Sequence, residues 1–151
     1  GLIGENPIGV PNNIFPIILQ VAARKIPELK IYGRDWPTED GTGVRDYIHV
    51  MDLAEAHMSA LKMLNNSSSK IEKINIGTGK GTSVLDLVTI FEEVSGLEIP
   101  VKFCNRRKGD VPFSVADNSL ALDILEWLPK RNIYQMCKDG FNWLNKNPKG
   151  Y

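Results

Sequence analysis

Short strand-like runs alternate with helical repeats along most of this chain, and that order admits few architectures. Ile14, Ile17, Ile18, Val21 and Ala22 recur at helical spacing. A helix is predicted from a cap at Asn12 or Asn13 to about Lys25, with Pro16 tolerated in its first turn and Pro27 as its stop. Leu29 to Tyr32 alternates as a strand, and Arg45 to Val50 returns to the same pattern after a polar loop carrying Arg34, Asp35, Glu39 and Asp40. Asp52 followed by Glu55 reads as a capping box for a helix to Leu64. Asn65 to Lys70 is a polar turn, Ile71 to Ile76 a strand, and Ser83 with Asp86 caps a helix that Gly96 ends. Pro100 to Cys104 is a further strand, and helices near Asn118–Glu126 and Ile133–Asn145 close the chain. Strands and helices in alternation predict an α/β fold.

Composition narrows the function classes. At 151 residues the chain is long enough for one domain with its own core. Lys and Arg total 18 against 18 Asp and Glu, so a general nucleic-acid or membrane-surface binder, which needs a basic excess, is disfavoured. Cys104 and Cys137 are far apart and form no CxxC pair, which excludes a disulfide scaffold and a zinc ribbon. Both read as small buried hydrophobes. His49 and His57 are eight residues apart, lack the four-residue helical spacing of a metal pair, and read as structural; no metal site is expected. No apolar run is long enough to span a bilayer. Gly1 stands where an initiating Met would, so the chain reads as the middle of a longer protein, and with no secretion signal it is expected in the cytoplasm. The sequons at Asn65 and Asn66 read as chance.

The local motifs are weak when taken singly. The turn Gly77-Thr78-Gly79-Lys80-Gly81-Thr82 sits between a strand and a helix, but Thr82 stands where a dinucleotide fingerprint needs Gly, and the P-loop spacing is also absent. No nucleophile elbow occurs. Arg45 and Arg107 are loop-borne and far apart in sequence. Such residues are either solvated surface cations or a pair able to clamp a small diphosphate through forked, charge-assisted hydrogen bonds. Asp110, three residues past Arg107, is an acceptor suited to sugar hydroxyls.

The stretch from Pro37-Thr38-Glu39-Asp40-Gly41-Thr42-Gly43 through Arg45-Asp46-Tyr47-Ile48-His49-Val50-Met51-Asp52 resembles the UDP-glucose 4-epimerases, which are extended short-chain dehydrogenases/reductases. Ile8-Gly9-Val10-Pro11-Asn12-Asn13, Ile74-Asn75-Ile76-Gly77-Thr78-Gly79, Arg106-Arg107-Lys108-Gly109-Asp110-Val111-Pro112 and the ending Asn147-Pro148-Lys149-Gly150-Tyr151 continue the likeness. It covers the carboxy-terminal, substrate-binding half of that family; the NAD-binding Rossmann half, the catalytic Tyr-x-x-x-Lys and its Ser/Thr partner have no counterpart. Tyr134 and Lys138 match the Tyr-x-x-x-Lys spacing only by coincidence, in a late helix. No catalytic residue is therefore expected in this chain.

Position by position, the resemblance implies a UDP-sugar site. Asn13 and Ile14 would lie along the nucleotide, and the strand at Lys30, Ile31 and Tyr32 would offer backbone groups to uracil, with Tyr32 against the base. Arg45 and Arg107 would hold the diphosphate, Tyr47 would line the same cleft, and Asp110 would bind the ribose hydroxyls. Ser114 stands where a bulky tyrosine resembles enzymes limited to glucose and galactose, so a small residue implies room for an N-acetyl group. The implied partners are UDP-glucose or UDP-galactose and the missing Rossmann half with its NAD, in an enzyme that is a homodimer; the fragment alone would be inactive. A stand-alone nucleotide-sugar binding module, or a fragment of a related dehydratase or decarboxylase, is the alternative.

Overall fold

The computed structural model describes residues 1–9, 11–65 and 71–150. The polar turn and sequons at 66–70, and the motif residues Val10 and Tyr151, lie outside the described residues. Helix α1 spans Ile14–Ala22, β1 Leu29–Tyr32, β2 Val44–Arg45, α2 Val50–Asn65, β3 Thr82–Ser83, α3 Val84–Ser95, β4 Val101–Cys104, β5 Phe113–Ser114, α4 Ser119–Leu125 and α5 Ile133–Lys146. The alternation read from the sequence is therefore an α/β arrangement, in two small sheets. In one, β1 runs parallel to β4; in the other, β2 lies between an antiparallel β3 and a parallel β5.

One core forms where α1, β1, α3 and α5 meet. Ile18, Leu29, Leu87, Phe91 and Cys137 are fully or almost fully buried there. Phe91 is gripped edge-to-face by Phe15 and Phe141, with ring centroids 6.3 and 6.0 Å away. A second cluster gathers Ala56 of α2, Ala121 and Leu125 of α4, and Trp127. Each buried side chain of this size contributes about 1.5–3 kcal/mol, so these clusters fix where the loops between them start and end.

Several boundaries differ from expectation, each for a local reason. Helix α1 stops at Ala22 rather than Lys25, because the chain turns through Arg24 at φ +55°. Lys25 N–H then donates to Gln20 O and Arg24 N–H to Val21 O, a Schellman closure with arginine in the position glycine usually takes. Asn13 caps by backbone geometry without a side-chain bond. Helix α2 starts at Val50, so Asp52 lies inside its first turn and no capping box forms. His49 acts instead, its Nδ1 accepting from Met51 N–H at 3.0 Å. The Asp52 carboxylate is wholly buried and is taken by residues from much later in the chain: Lys130 N–H at 3.1 Å, Arg131 N–H at 2.9 Å and the Arg131 guanidinium. The strand expected over Arg45–Val50 shrinks to Val44–Arg45: residues 46–49 form neither strand nor helix, and α2 begins at Val50.

Ile71 to Ile76 is not a strand. A strand needs a hydrogen-bonding neighbour, and among the described residues none pairs with this segment. It runs beside α2 instead, and the two line a cavity of about 360 Å³ with Ala60, Leu64, Ile71, Ile74 and Ile76 in its wall. Leu64 and Ile71 of that wall are exposed. By contrast α3 is as expected: Ser83 Oγ accepts from Asp86 N–H at 2.9 Å, and Gly96 ends the helix at φ +68°. Cys137 is fully buried, which pushes its thiol up to about 12, whereas Cys104 is only half-buried. No helix among the described residues is long and apolar enough to cross a membrane.

Candidate functional site

The parallel pair β1/β4 ends on one side of the molecule, where Gly33 N–H still donates to Cys104 O at 2.9 Å. From that end issue the loops 33–43 and 105–112. In open α/β sheets the crevice beyond the carboxyl ends of the strands is the usual ligand site. Here it carries a cation–aromatic array. The Arg107 guanidinium sits 4.4 Å over the Tyr32 ring, Arg106 lies 3.9 Å over Trp36, and Arg34 lies 4.6 Å over Phe103. Arg107 Nε also donates to Asp110 at 2.9 Å, and Arg106 Nε to Asp35 at 2.7 Å. The hydrogen bond from Arg106 holds the Asp35 carboxyl below the usual carboxylate range.

The strand edge next to this array is open. Leu29 N–H donates to Pro100 O, and the parallel register pairs Leu29 with Val101 and Ile31 with Phe103. The N–H and C=O of Leu29 and Ile31 are therefore spent on β4, and those of Lys30 and Tyr32 face the other edge. No strand covers that edge among the described residues. The Trp36 indole occupies one of its groups, Nε1 donating to Tyr32 O at 3.2 Å. Gly33 makes this possible: its φ is +92°, and a Cβ there would stand 2.3 Å from Trp36 Nε1.

A second group assembles on the β3–β2–β5 sheet. Arg45 is registered opposite Ser114, and the two line a cleft of about 420 Å³ with Asp46, Asn75, Ile76, Val115 and Ala116. Arg45 Nη1 donates to Val44 O at 2.7 Å. Asp46 is the fastening of this cleft. Its carboxylate accepts from Thr78 N–H at 2.9 Å, Gly79 N–H at 3.0 Å and Ala116 N–H at 3.3 Å, and from the Thr78 hydroxyl. Among the described residues the buried Tyr47 hydroxyl has no hydrogen-bond partner; burial pushes it up to about 12, against the opposing pull of the Arg45 charge. Loop 33–43 is tied to the start of α3 by Asp40, which accepts from Thr42 N–H at 2.8 Å and from the Ser83 hydroxyl. Burial opposes ionisation of Asp40, but the bonds from Ser83 and Thr42 outweigh it and hold the carboxyl below its usual range.

The structure thus brings the sequence-derived residues together in two groups. Arg107 stacks on Tyr32 and pairs with Asp110, beside the backbone of Lys30; Arg45 and Ser114 share the cleft, whereas Tyr47, two residues after Arg45, packs against the first core. No side-chain hydrogen bond, ion pair or ring contact joins the groups among the described residues. What links them is the chain itself, because the loop from Arg107 to Asp110 runs directly into Pro112 and β5, and Val44 N–H donates to Pro112 O at 2.8 Å. Asn13 is exposed at the start of α1, and Ile14 is packed against the first core, as Tyr47 is. Asp46 and Trp36 were not legible as site residues. Asp46 does fall within the Arg45–Tyr47 motif, but its partners lie 32 and 70 residues away.

The glycine-rich turn does not fit a dinucleotide. The Thr78 and Gly79 N–H groups that would face a pyrophosphate are both spent on Asp46, and a Cβ at Gly77 would meet Asp46 Oδ2 at 2.5 Å. The turn is a structural fastening of the cleft.

Known proteins resemble this chain along its whole length. The profile of the GDP-mannose 4,6 dehydratase family matches residues 4–140. Over its whole length the chain is 50% identical to UDP-glucose 4-epimerase 1 of Oryza sativa subsp. japonica, covering 43% of that protein, and 49% identical to the UDP-glucose 4-epimerase of Bacillus subtilis (strain 168), covering 44%. Among solved structures, the UDP-glucose 4-epimerase of Stenotrophomonas maltophila, with bound NAD and formylated UDP-arabinopyranose, superposes with TM-score 0.92 at 46% identity, over 97% of this chain and 44% of that one. The Bifidobacterium longum UDP-glucose 4-epimerase, in complex with NAD+ and UDP, gives 0.93 at 40% identity, over 99% of this chain and 44% of that one. The chain spans less than half the length of the relatives it matches. It belongs to the GDP-mannose 4,6 dehydratase family, within the extended short-chain dehydrogenases/reductases, and corresponds to the carboxy-terminal portion of its UDP-glucose 4-epimerase relatives.

Proposed function

We propose that this chain is the UDP-sugar-binding portion of an NAD-dependent epimerase that interconverts UDP-glucose and UDP-galactose at C4, and that it is inactive alone. The observation that carries the reading is the clustering of Tyr32, Arg107 and Asp110 at the carboxyl ends of β1 and β4, with Arg45 on the adjoining sheet, in a chain half identical to such epimerases throughout. Uracil would take the open edge of β1 at Lys30 and Tyr32. Arg45 and Arg107 would grip the diphosphate, Asp110 the ribose, and Tyr47, whose buried hydroxyl has no partner among the described residues, would meet the same ligand. Asn13 and Ile14 would approach the nucleotide from the start of α1.

An epimerase of this kind must release one face of its sugar and present the other, so binding energy belongs on the part of the substrate that does not turn. Two guanidinium groups on the diphosphate supply such an anchor, and the small Ser114 leaves room beside the sugar, enough for an N-acetylhexosamine. NAD and the proton-transfer residues are assigned to the portion of the enzyme that this chain does not cover, and no step of hydride transfer is assigned here. That Rossmann portion is also the occupant proposed for the apolar side of α2 and the unpaired segment 71–76. The whole enzyme is proposed as a cytoplasmic homodimer of galactose metabolism.

Calorimetric titration of the 151-residue chain with UDP-glucose tests the reading. Saturable binding is expected, weakened about ten- to 150-fold by Arg45→Ala or Arg107→Ala, the loss of one charge-assisted bond each. Absence of binding, or binding indifferent to both changes, refutes it.

A further inference from the structure

Resting on the reading of a UDP-sugar ligand, we infer that Asn75 is a sugar-specificity residue: its carboxamide hydrogen-bonds hydroxyl groups of the hexose that follows the diphosphate. The cleft beside Arg45, about 420 Å³, has the size of a small-molecule pocket. Of the polar side chains in its wall, Arg45 is assigned to the diphosphate. The Asp46 carboxylate is saturated by the N–H groups of Thr78, Gly79 and Ala116 and by the Thr78 hydroxyl. That leaves Asn75 and Ser114, and among the described residues neither side chain has a hydrogen-bond partner. Phosphate calls for charge, whereas a pyranose presents neutral hydroxyls, each both donor and acceptor. A carboxamide offers two N–H donors and an oxygen with two lone pairs, so it meets two neighbouring hydroxyls at once; a serine hydroxyl has one donor to give.

The fold holds Asn75 in place from both sides. Its neighbours Ile74 and Ile76 pack against the second hydrophobic cluster, while Asn75 between them is exposed and lines the cleft. Two residues on, Gly77 brings the backbone down onto Asp46 and Ala116: a Cβ there would stand 2.5 Å from Asp46 Oδ2 and 2.6 Å from the Ala116 Cβ. Asn118 Nδ2 donates to Gly77 O at 3.1 Å and locks that approach. Ser114 borders the same space from β5, beside Arg45 in the parallel register, with neighbouring strands about 4.8 Å apart. A sugar leaving a diphosphate held at Arg45 therefore enters between Asn75 and Ser114. The Rossmann portion would take the unpaired backbone of segment 71–76, which leaves the Asn75 side chain to the cleft.

The test compares UDP-glucose with UDP, each titrated by calorimetry into the 151-residue chain and into Asn75→Ala. The substitution is expected to weaken UDP-glucose about three- to tenfold, the worth of one neutral hydrogen bond, and to leave UDP unchanged. If both affinities fall together, Asn75 supports the site without touching the sugar; if neither moves, it is a bystander. Either result overturns the inference and leaves the diphosphate anchor standing. A measurement on the unaltered chain guards against a variant that does not fold: the NMR signal of the Asn75 side-chain NH2 is expected to shift on saturation with UDP-glucose and to stay in place with UDP. The same shift with both ligands, or none with UDP-glucose bound, overturns the inference. No binding of either ligand by the unaltered chain overturns the inference together with the reading it rests on.

Discussion

Removing the Asp46 carboxylate should loosen the cleft more than any other single change near it. Asp46 accepts from the N–H groups of Thr78, Gly79 and Ala116, so Asp46→Ala leaves three backbone donors without their acceptor. Gly79 is exposed and water replaces its partner, whereas Thr78 and Ala116 are half-buried. Hydrogen bonds to an ionised acceptor are worth about 1.5–3 kcal/mol each. Counting the two sheltered ones at the lower figure gives a loss of about 3 kcal/mol. Asp46→Asn should be nearly as damaging, because its amide keeps one acceptor but turns a second donor toward N–H groups. Urea unfolding followed by tryptophan fluorescence reads this, Trp127 and Trp143 being buried. With a slope of about 2 kcal/mol/M the midpoint should fall by about 1.5 M. A loss under about 1 kcal/mol for the alanine variant, or a harmless asparagine, would refute the idea that this carboxylate fastens the turn at Gly77–Gly79 to β5.

Three further outcomes follow from the same structure. Arg131→Ala strips the guanidinium from the fully buried Asp52 and should lower the urea midpoint; an unchanged midpoint contradicts the pairing. Burial pushes the Asp139 carboxyl up, yet the bonds from Gln135 and His49 pull it down, below its usual range. Its unfolded value is about 3.9, so the stability it contributes is present above that pH and is lost as pH falls below it. Asp139→Asn should flatten that part of the stability–pH curve, and an unchanged slope would count against the assignment. Ser114→Tyr should weaken UDP-GlcNAc binding at least about tenfold while changing UDP-glucose binding little; parallel losses would mean that the side chain does not border the sugar.

Much of the fold was legible because its signals are local. The α1 and α3 periodicities, the Ser83 cap, the Gly96 stop and the alternation at Leu29–Tyr32 need nothing beyond a few neighbouring residues. What was misread depends on distant partners. Asp52 looked like a cap because Glu55 follows it by three, and only the arrival of Lys130 and Arg131 turns it into a buried anchor. Ile71–Ile76 has the composition of a strand without a neighbour to pair with. In the site, the pairing of Arg107 with Asp110 was implicit in a three-residue spacing, while the role of Asp46 arises from chain crossings that no local pattern encodes.

The anchor itself is tested most directly by a crystal structure of the chain with UDP bound. The account predicts that Arg107 leaves the Tyr32 ring and its Asp110 partner, that Arg45 leaves Val44 O, and that both guanidinium groups come within about 3 Å of diphosphate oxygens. Bound UDP with Arg107 still stacked on Tyr32, or with the diphosphate held by only one of the two arginines, would contradict it.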